Sequence, residues 1–271
     1  MPDEDSTAAE EIIDIGAEIA GGVAGSAAGL LVAGPGGALA GAAGAPLAIR
    51  ALRWAGREAR ERVLSRREQV RAGGALAFAA DEIRTRLESG DVLRNDGFFK
   101  EEVAPGRTAA QEILEGTLMT AERSYEEKKV PYLGRLYASI GFDETVDAAG
   151  ANYLLNIGAT LTWMQFVILS VIAHNFEGQL RLRESMFEGD DQPMELVAVA
   201  HQMLNLAQRG FLFQKRPGQD NSEIILDAPH IAPQHLKIQG FGYQFWRLAK
   251  LGDMPSKDWL PMAVMLGSSS G

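Results

Sequence analysis

The side chains able to do chemistry in this chain are few and scattered. Four histidines are present, His174, His201, His230 and His235, and there is no cysteine. Asp227, His230 and His235 fall within nine positions of one another and are of the types that ligate a divalent metal. They follow neither the HExxH pattern nor the four-residue spacing that puts two imidazoles on one helix face, so they read as surface residues of a loop. The missing cysteines remove disulfide frameworks, thiolate zinc sites, iron–sulfur clusters and thiol nucleophiles together. No serine sits in GxSxG and no GxxxxGK[ST] run occurs; Gly34-Pro35-Gly36-Gly37 lacks the lysine of a phosphate cradle. Glu126-Glu127-Lys128-Lys129 reads as a solvated patch and not as a working carboxylate pair. The expectation is a non-enzymatic protein with no catalytic, cofactor-binding or metal residues.

Charge and glycine carry more information than catalytic motifs. Seven acids and no base lie between Met1 and Glu18, then 31 residues from Ile19 to Ile49 carry no charge, then eight arginines fall between Arg50 and Arg71. The start is acidic, so it is not a secretory signal. As one helix the uncharged run would be about 46 Å long, against about 30 Å of hydrocarbon. Gly34-Pro35-Gly36 breaks it near the middle, leaving two halves each too short for an easy crossing. Only eight large aliphatics lie in the run, and the rest is mostly Gly and Ala. Gly21, Gly25 and Gly29 form GxxxGxxxG, and Gly37 and Gly41 form a second GxxxG. Small residues four apart make a flat stripe that admits another helix backbone.

From Gly21 to Ala45 the chain resembles the glycine-zipper segments of membrane-active bacterial proteins. That resemblance implies a helical hairpin with Gly21, Gly25, Gly29, Gly37 and Gly41 at a helix–helix contact and Gly34, Pro35 and Gly36 as its hinge. The arginine run, with Glu58, Glu61 and Glu68 between its members, has a local charge of +5. Arg50, Arg53, Arg57, Arg60, Arg66 and Arg67 are then candidates to meet anionic lipid or another anion. Two other uses stay open: a solvated face, and pairing with the chain's own acidic start.

Helical spacing extends through the next hundred residues. Leu47 to Val70 reads as an amphipathic helix and Ala75 to Leu87 as a second. Thr108, with Gln111 three residues on, has the form of a capping box opening a helix toward Lys129. Tyr132–Ile140 and Thr145–Ala159 read as short helices, with Asp143 a candidate cap. No strand periodicity is evident before Phe211. Leu161–His174 is a 14-residue apolar stretch, suited to a core helix. Pro193 opens a helix that Gly210 stops. Short strands are expected at 211–213, 223–226 and 235–238, and a last helix from Gly240 with Phe245 and Trp246 in the core alongside Tyr243 and Trp259.

In its order of elements and in the run LNLAQRGFLF, the segment from Leu161 to Gly252 resembles a winged-helix domain. That implies Lys215 and Arg216 at the tip of a wing. The segment carries eight bases against nine acids, and the helix ending near Gln208 has no Lys or Arg, so nucleic acid is not an expected partner. The net charge of −10 agrees.

The expected architecture is mainly α: a helical hairpin (1–49), a helical bundle (50–158), a winged-helix-like α+β module with short strands (159–266) and a linker remnant (267–271). The expected function is a cytoplasmic membrane-associating or pore-forming effector, at the inner face of the membrane, acting through self-association of the hairpin in bacterial defence. Two alternatives remain: a soluble homo-oligomeric scaffold using the same hairpin, and a winged-helix regulator. In the first reading, removing residues 1–49 should leave a soluble body.

Overall fold

The computed structural model of the chain describes residues 4–33, 44–176, 180–187, 192–215 and 227–267. The described chain is mainly helical, with two small antiparallel two-stranded sheets, as its periodicity predicts. It divides into two compact units, Met1–Thr160 and Leu161–Gly271.

The first unit is built around one helix. In chain order it contains α1 (Glu4–Ala20), α2 (Val23–Ala33), α3 (Ala45–Glu61), α4 (Arg66–Glu88), β1 (Glu102–Ala104), β2 (Arg107–Thr108), α5 (Ala109–Arg123), α6 (Val130–Ile140) and α7 (Ala148–Thr160). Helix α4 is buried on every side from Ala72 to Ala80, because α1, α2, α3, α5 and α6 all pack on it. Its small residues make that geometry accessible. Gly73 sits against Gly16 and the Ile12 carbonyl of α1, and Gly134 of α6 sits against the Ala75 carbonyl, each so close that a Cβ would overlap backbone. Gly56 of α3 meets Ala9 of α1 in the same way. Interior glycines cost about 1 kcal/mol each relative to Ala; here the close crossings they permit offset that cost.

Helix boundaries differ from the periodicity at two points. The expected break near Gly73-Gly74 does not exist, because those glycines are a packing surface inside α4. The break falls instead at Arg62–Ser65, where Ser65 and Glu68 form a reciprocal capping box that opens α4. The same device at Thr108 and Gln111 opens α5, as expected. Helix α5 stops at Arg123, short of Lys129, and a 3-10 turn (Glu127–Lys129) leads into α6. Helix α7 is opened by Asp147, whose carboxylate accepts the Gly150 amide at 2.7 Å, while Asp143 accepts from Thr145 in the preceding turn. Strands β1 and β2 pair around Pro105-Gly106, a hairpin too short to show periodicity, with Gly106 at φ 72°.

The second unit contains α8 (Trp163–Phe176), α9 (Met194–Gln208), β3 (Leu212–Gln214), β4 (Leu236–Ile238), α10 (Gly240–Leu248) and α11 (Ser256–Met265). Strand β3 pairs antiparallel with β4, Leu212 opposite Ile238 and Gln214 opposite Leu236. The expected strand at 223–226 lies outside the described residues. Helix α8 is the core helix, buried from Gln165 through Ala173, with Phe166 edge-on to Phe245 of α10 at 5.1 Å. Gln214 is fully buried and satisfied: its carbonyl accepts from the Ala232 amide at 2.7 Å and its amide donates to the His230 carbonyl at 3.3 Å. Of the four aromatics assigned to the core, Phe245 is fully buried and Tyr243 is 50% exposed; Trp259 stacks on His174 at 4.4 Å. Helix α11 follows the expected last helix and contains Pro261.

Candidate functional site

The acidic start and the arginine run meet face to face. Helix α1 lies along α3 and α4, its Ile12 and Ile13 buried against them, and its polar edge carries acids in the register of the arginines. Arg57 pairs with Asp5 at 2.7 Å, Arg60 with Glu11 at 3.0 Å, and Arg67 with Glu18 at 2.5 Å. Arg53 donates through Nε to the Leu31 carbonyl of α2 at 3.1 Å, closing one of the C-terminal carbonyls of that helix. Four of the six arginines expected to meet lipid are therefore engaged within the chain: Arg57, Arg60 and Arg67 pair with the acidic start, and Arg53 meets a carbonyl of α2. Arg50 and Arg66 are exposed. Each of the three pairs has side chains 30–55% exposed, which limits it to about 0–1 kcal/mol.

A more buried network ties the end of α3 to α5. Arg62 bridges Glu115 at 2.7 Å and Glu122 at 3.1 Å, and Arg107 also binds Glu115. Burial raises the Glu122 carboxyl above its ordinary value, and the adjacent Arg62 opposes that shift. Arg71 reaches across to the Glu122 carbonyl and to the Glu127 carboxylate. Lys129, expected on the surface, is 4% exposed. Burial lowers its pKa, partly offset by Glu126, and its ammonium donates to the Ala159 carbonyl at 3.4 Å.

Helix α2 is held by one face and open on the other. Ala24, Ala27, Leu30 and Leu31 are buried against the unit, and Ser26 donates to Asp81 of α4 at 2.7 Å. The opposite face carries Gly25 and Gly29, and Gly21 and Gly22 lie in the turn before the helix; all four are exposed, and a Cβ built on any of them meets nothing within 4 Å among the described residues. Gly21 also ends α1, at φ 55°. The GxxxGxxxG row thus makes no contact within the described chain, and the helix contacts that need glycine use Gly16, Gly56, Gly73 and Gly134 instead. Gly37, Gly41 and the hinge Gly34, Pro35 and Gly36 lie outside the described residues.

In the second unit Lys215 is exposed just beyond β3, its amide bonded to the His235 carbonyl at 3.0 Å, and Arg216 lies outside the described residues. The Asp227 carboxylate accepts from His230, through both its backbone and its ring, and His235 does not join them. Among the described residues no group of three His, Asp or Glu could hold a metal ion. None of the helices described is by itself long and apolar enough to cross a membrane. Comparisons with protein-family models, curated proteins and solved structures give no match to this chain.

Proposed function

We propose that the chain acts without catalysis, as a helical protein that self-associates through the outward face of α2. The observation carrying this reading is the exposed pair Gly25 and Gly29, with open space above each Cα among the described residues, on a helix whose other face is packed. Gly16, Gly56, Gly73 and Gly134 of the first unit each press on a neighbouring backbone, whereas Gly25 and Gly29 meet nothing among the described residues. Two copies of α2 could approach to backbone distance along that face. In water such a contact gains from removing exposed Ala and Gly surface and from dense packing, which is modest per pair and suits a repeated, symmetric interface. The test is the oligomeric state of the full chain and of the Gly25→Leu/Gly29→Leu variant. Open space at both positions lets the fold accept Leu, so loss of association would report on the interface and not on folding.

A membrane-disrupting effector is the second reading, favoured by the glycine row being of the type used between helices in lipid. It requires α1 and α2 to leave the unit. Exposing Ile12, Ile13, Leu30 and Leu31 alone would cost about 6–12 kcal/mol at roughly 1.5–3 kcal/mol each, as much as the whole stability of a typical domain. Release would therefore need a trigger that supplies comparable energy. In this reading flotation with anionic liposomes survives physiological salt and dye leakage follows; absence of both removes it. The second unit, read as winged-helix-like, serves packing or a protein partner, since α9 has no Lys or Arg within it.

A further inference from the structure

The arginines of the basic run are nearly all engaged. Arg57, Arg60, Arg62, Arg67 and Arg71 each meet a carboxylate, and Arg53 meets a backbone carbonyl. Arg50 has no hydrogen bond or ion pair among the described residues, and unlike Arg66 it lines a concavity. The concavity, of about 260 Å³, opens between α3, the Phe99-Lys100 turn, the β1–β2 hairpin and the first turn of α5. Leu47, Ala51 and Phe99 give it an apolar side. Lys100 stands on the rim with Arg50, and its ammonium spends one donor on Asn95 Oδ1 at 2.8 Å. Thr108 and Gln111 are on the wall but are occupied by their mutual capping box. Glu102 is the single carboxylate of the lining, and it accepts the Gly106 amide at 3.2 Å. Two cations thus face one partly satisfied acid, in a chain whose net charge is −10.

We propose that this pocket binds a small phosphate monoester with a short apolar body. A phosphate ester carries about −1.5 to −2 at neutral pH, which matches two cations better than a single carboxylate does. The Arg50 guanidinium offers a planar fork for two phosphate oxygens and Lys100 a point charge for the third. The apolar body then lies on Leu47 and Phe99. Size favours a small ligand: the volume is under the roughly 300 Å³ at which pockets for drug-sized molecules begin. The pocket involves neither the glycine row nor self-association.

The test is isothermal titration of the full chain, at fixed ionic strength and neutral pH, with butyl phosphate, inorganic phosphate and butylammonium. Saturable one-to-one binding of butyl phosphate is expected, tighter than that of inorganic phosphate, with no heat from butylammonium. Arg50→Gln should weaken butyl phosphate at least tenfold and Lys100→Gln several-fold. Both side chains are exposed and outside the core, so unchanged circular dichroism is expected for each variant. The proposal is overturned by absence of saturable binding, by inorganic phosphate binding as tightly as the ester, or by unchanged affinity in the Arg50→Gln/Lys100→Gln double variant.

Discussion

At the scale of single residues, buried charge is the least legible feature and gives the sharpest predictions. Lys129 closes the run Glu126-Glu127-Lys128-Lys129, which reads as surface, and only the turn into α6 carries it inside. Its folded pKa is depressed, so between that value and the unfolded lysine value the unfolded chain holds more protons and stability rises with pH. Lys129→Met should therefore raise the melting temperature at neutral pH and abolish that rise, as read by thermal unfolding from pH 7 to pH 10. An unchanged pH profile would contradict the burial argument. Arg62 poses the opposite case. Its removal by Arg62→Met takes the ion-pair partner from Glu122, 9% exposed at its side chain, while Glu115 keeps Arg107. The loss should be on the order of 3 kcal/mol, measured by urea unfolding. Glu11→Gln, at an exposed pair, should cost less than about 1 kcal/mol. The order of the two costs is the check. For Glu122 itself the folded pKa is raised, so its ionisation subtracts stability as pH climbs from the unfolded carboxylate value through the folded one.

At the scale of elements, glycine separates contacts that exist within the chain from a face that has none among the described residues. Gly73→Ala should destabilise by about 1–3 kcal/mol or more, because the added methyl meets the Ile12 carbonyl. Gly22→Ala, with open space above it, should leave the monomer unharmed or stabilise it by up to about 1 kcal/mol. Equal effects in denaturant unfolding would contradict the assignment of the two faces. The same comparison shows what sequence reasoning can and cannot reach. Thr108 and Gln111 are legible because a capping box is local, four residues long and chemically specific. Ser65 and Glu68 use the same grammar, but Gly73-Gly74 competes with them for the role of helix break, and only the approach of Gly16 explains why a glycine pair survives mid-helix. The acid-then-arginine order of the first 71 residues makes pairing foreseeable, whereas the register Asp5–Arg57, Glu11–Arg60, Glu18–Arg67 depends on how α1 crosses α3 and α4. Pro261 is tolerated inside α11, where it is exposed. Strands of two or three residues have no period to detect.

At the scale of the whole molecule, the N-terminal helices are structural before they are anything else. Residues 1–49 contain α1 and α2, which supply Ile12, Ile13, Leu30 and Leu31 to the core around α4. Deleting them should expose the buried face of α4 and give aggregated or largely unfolded protein, not the soluble body that the sequence suggests; circular dichroism and light scattering decide this. The open glycine face of α2 is then the feature left to explain, and self-association explains it with the fold intact. The most direct measurement is the solution mass of the full chain by size-exclusion chromatography with multi-angle light scattering, beside Gly25→Leu/Gly29→Leu. The account predicts a multiple of 29.2 kDa for the natural sequence and 29.2 kDa for the variant, with the same helicity. A monomeric natural chain, or a variant that associates equally well, would contradict it.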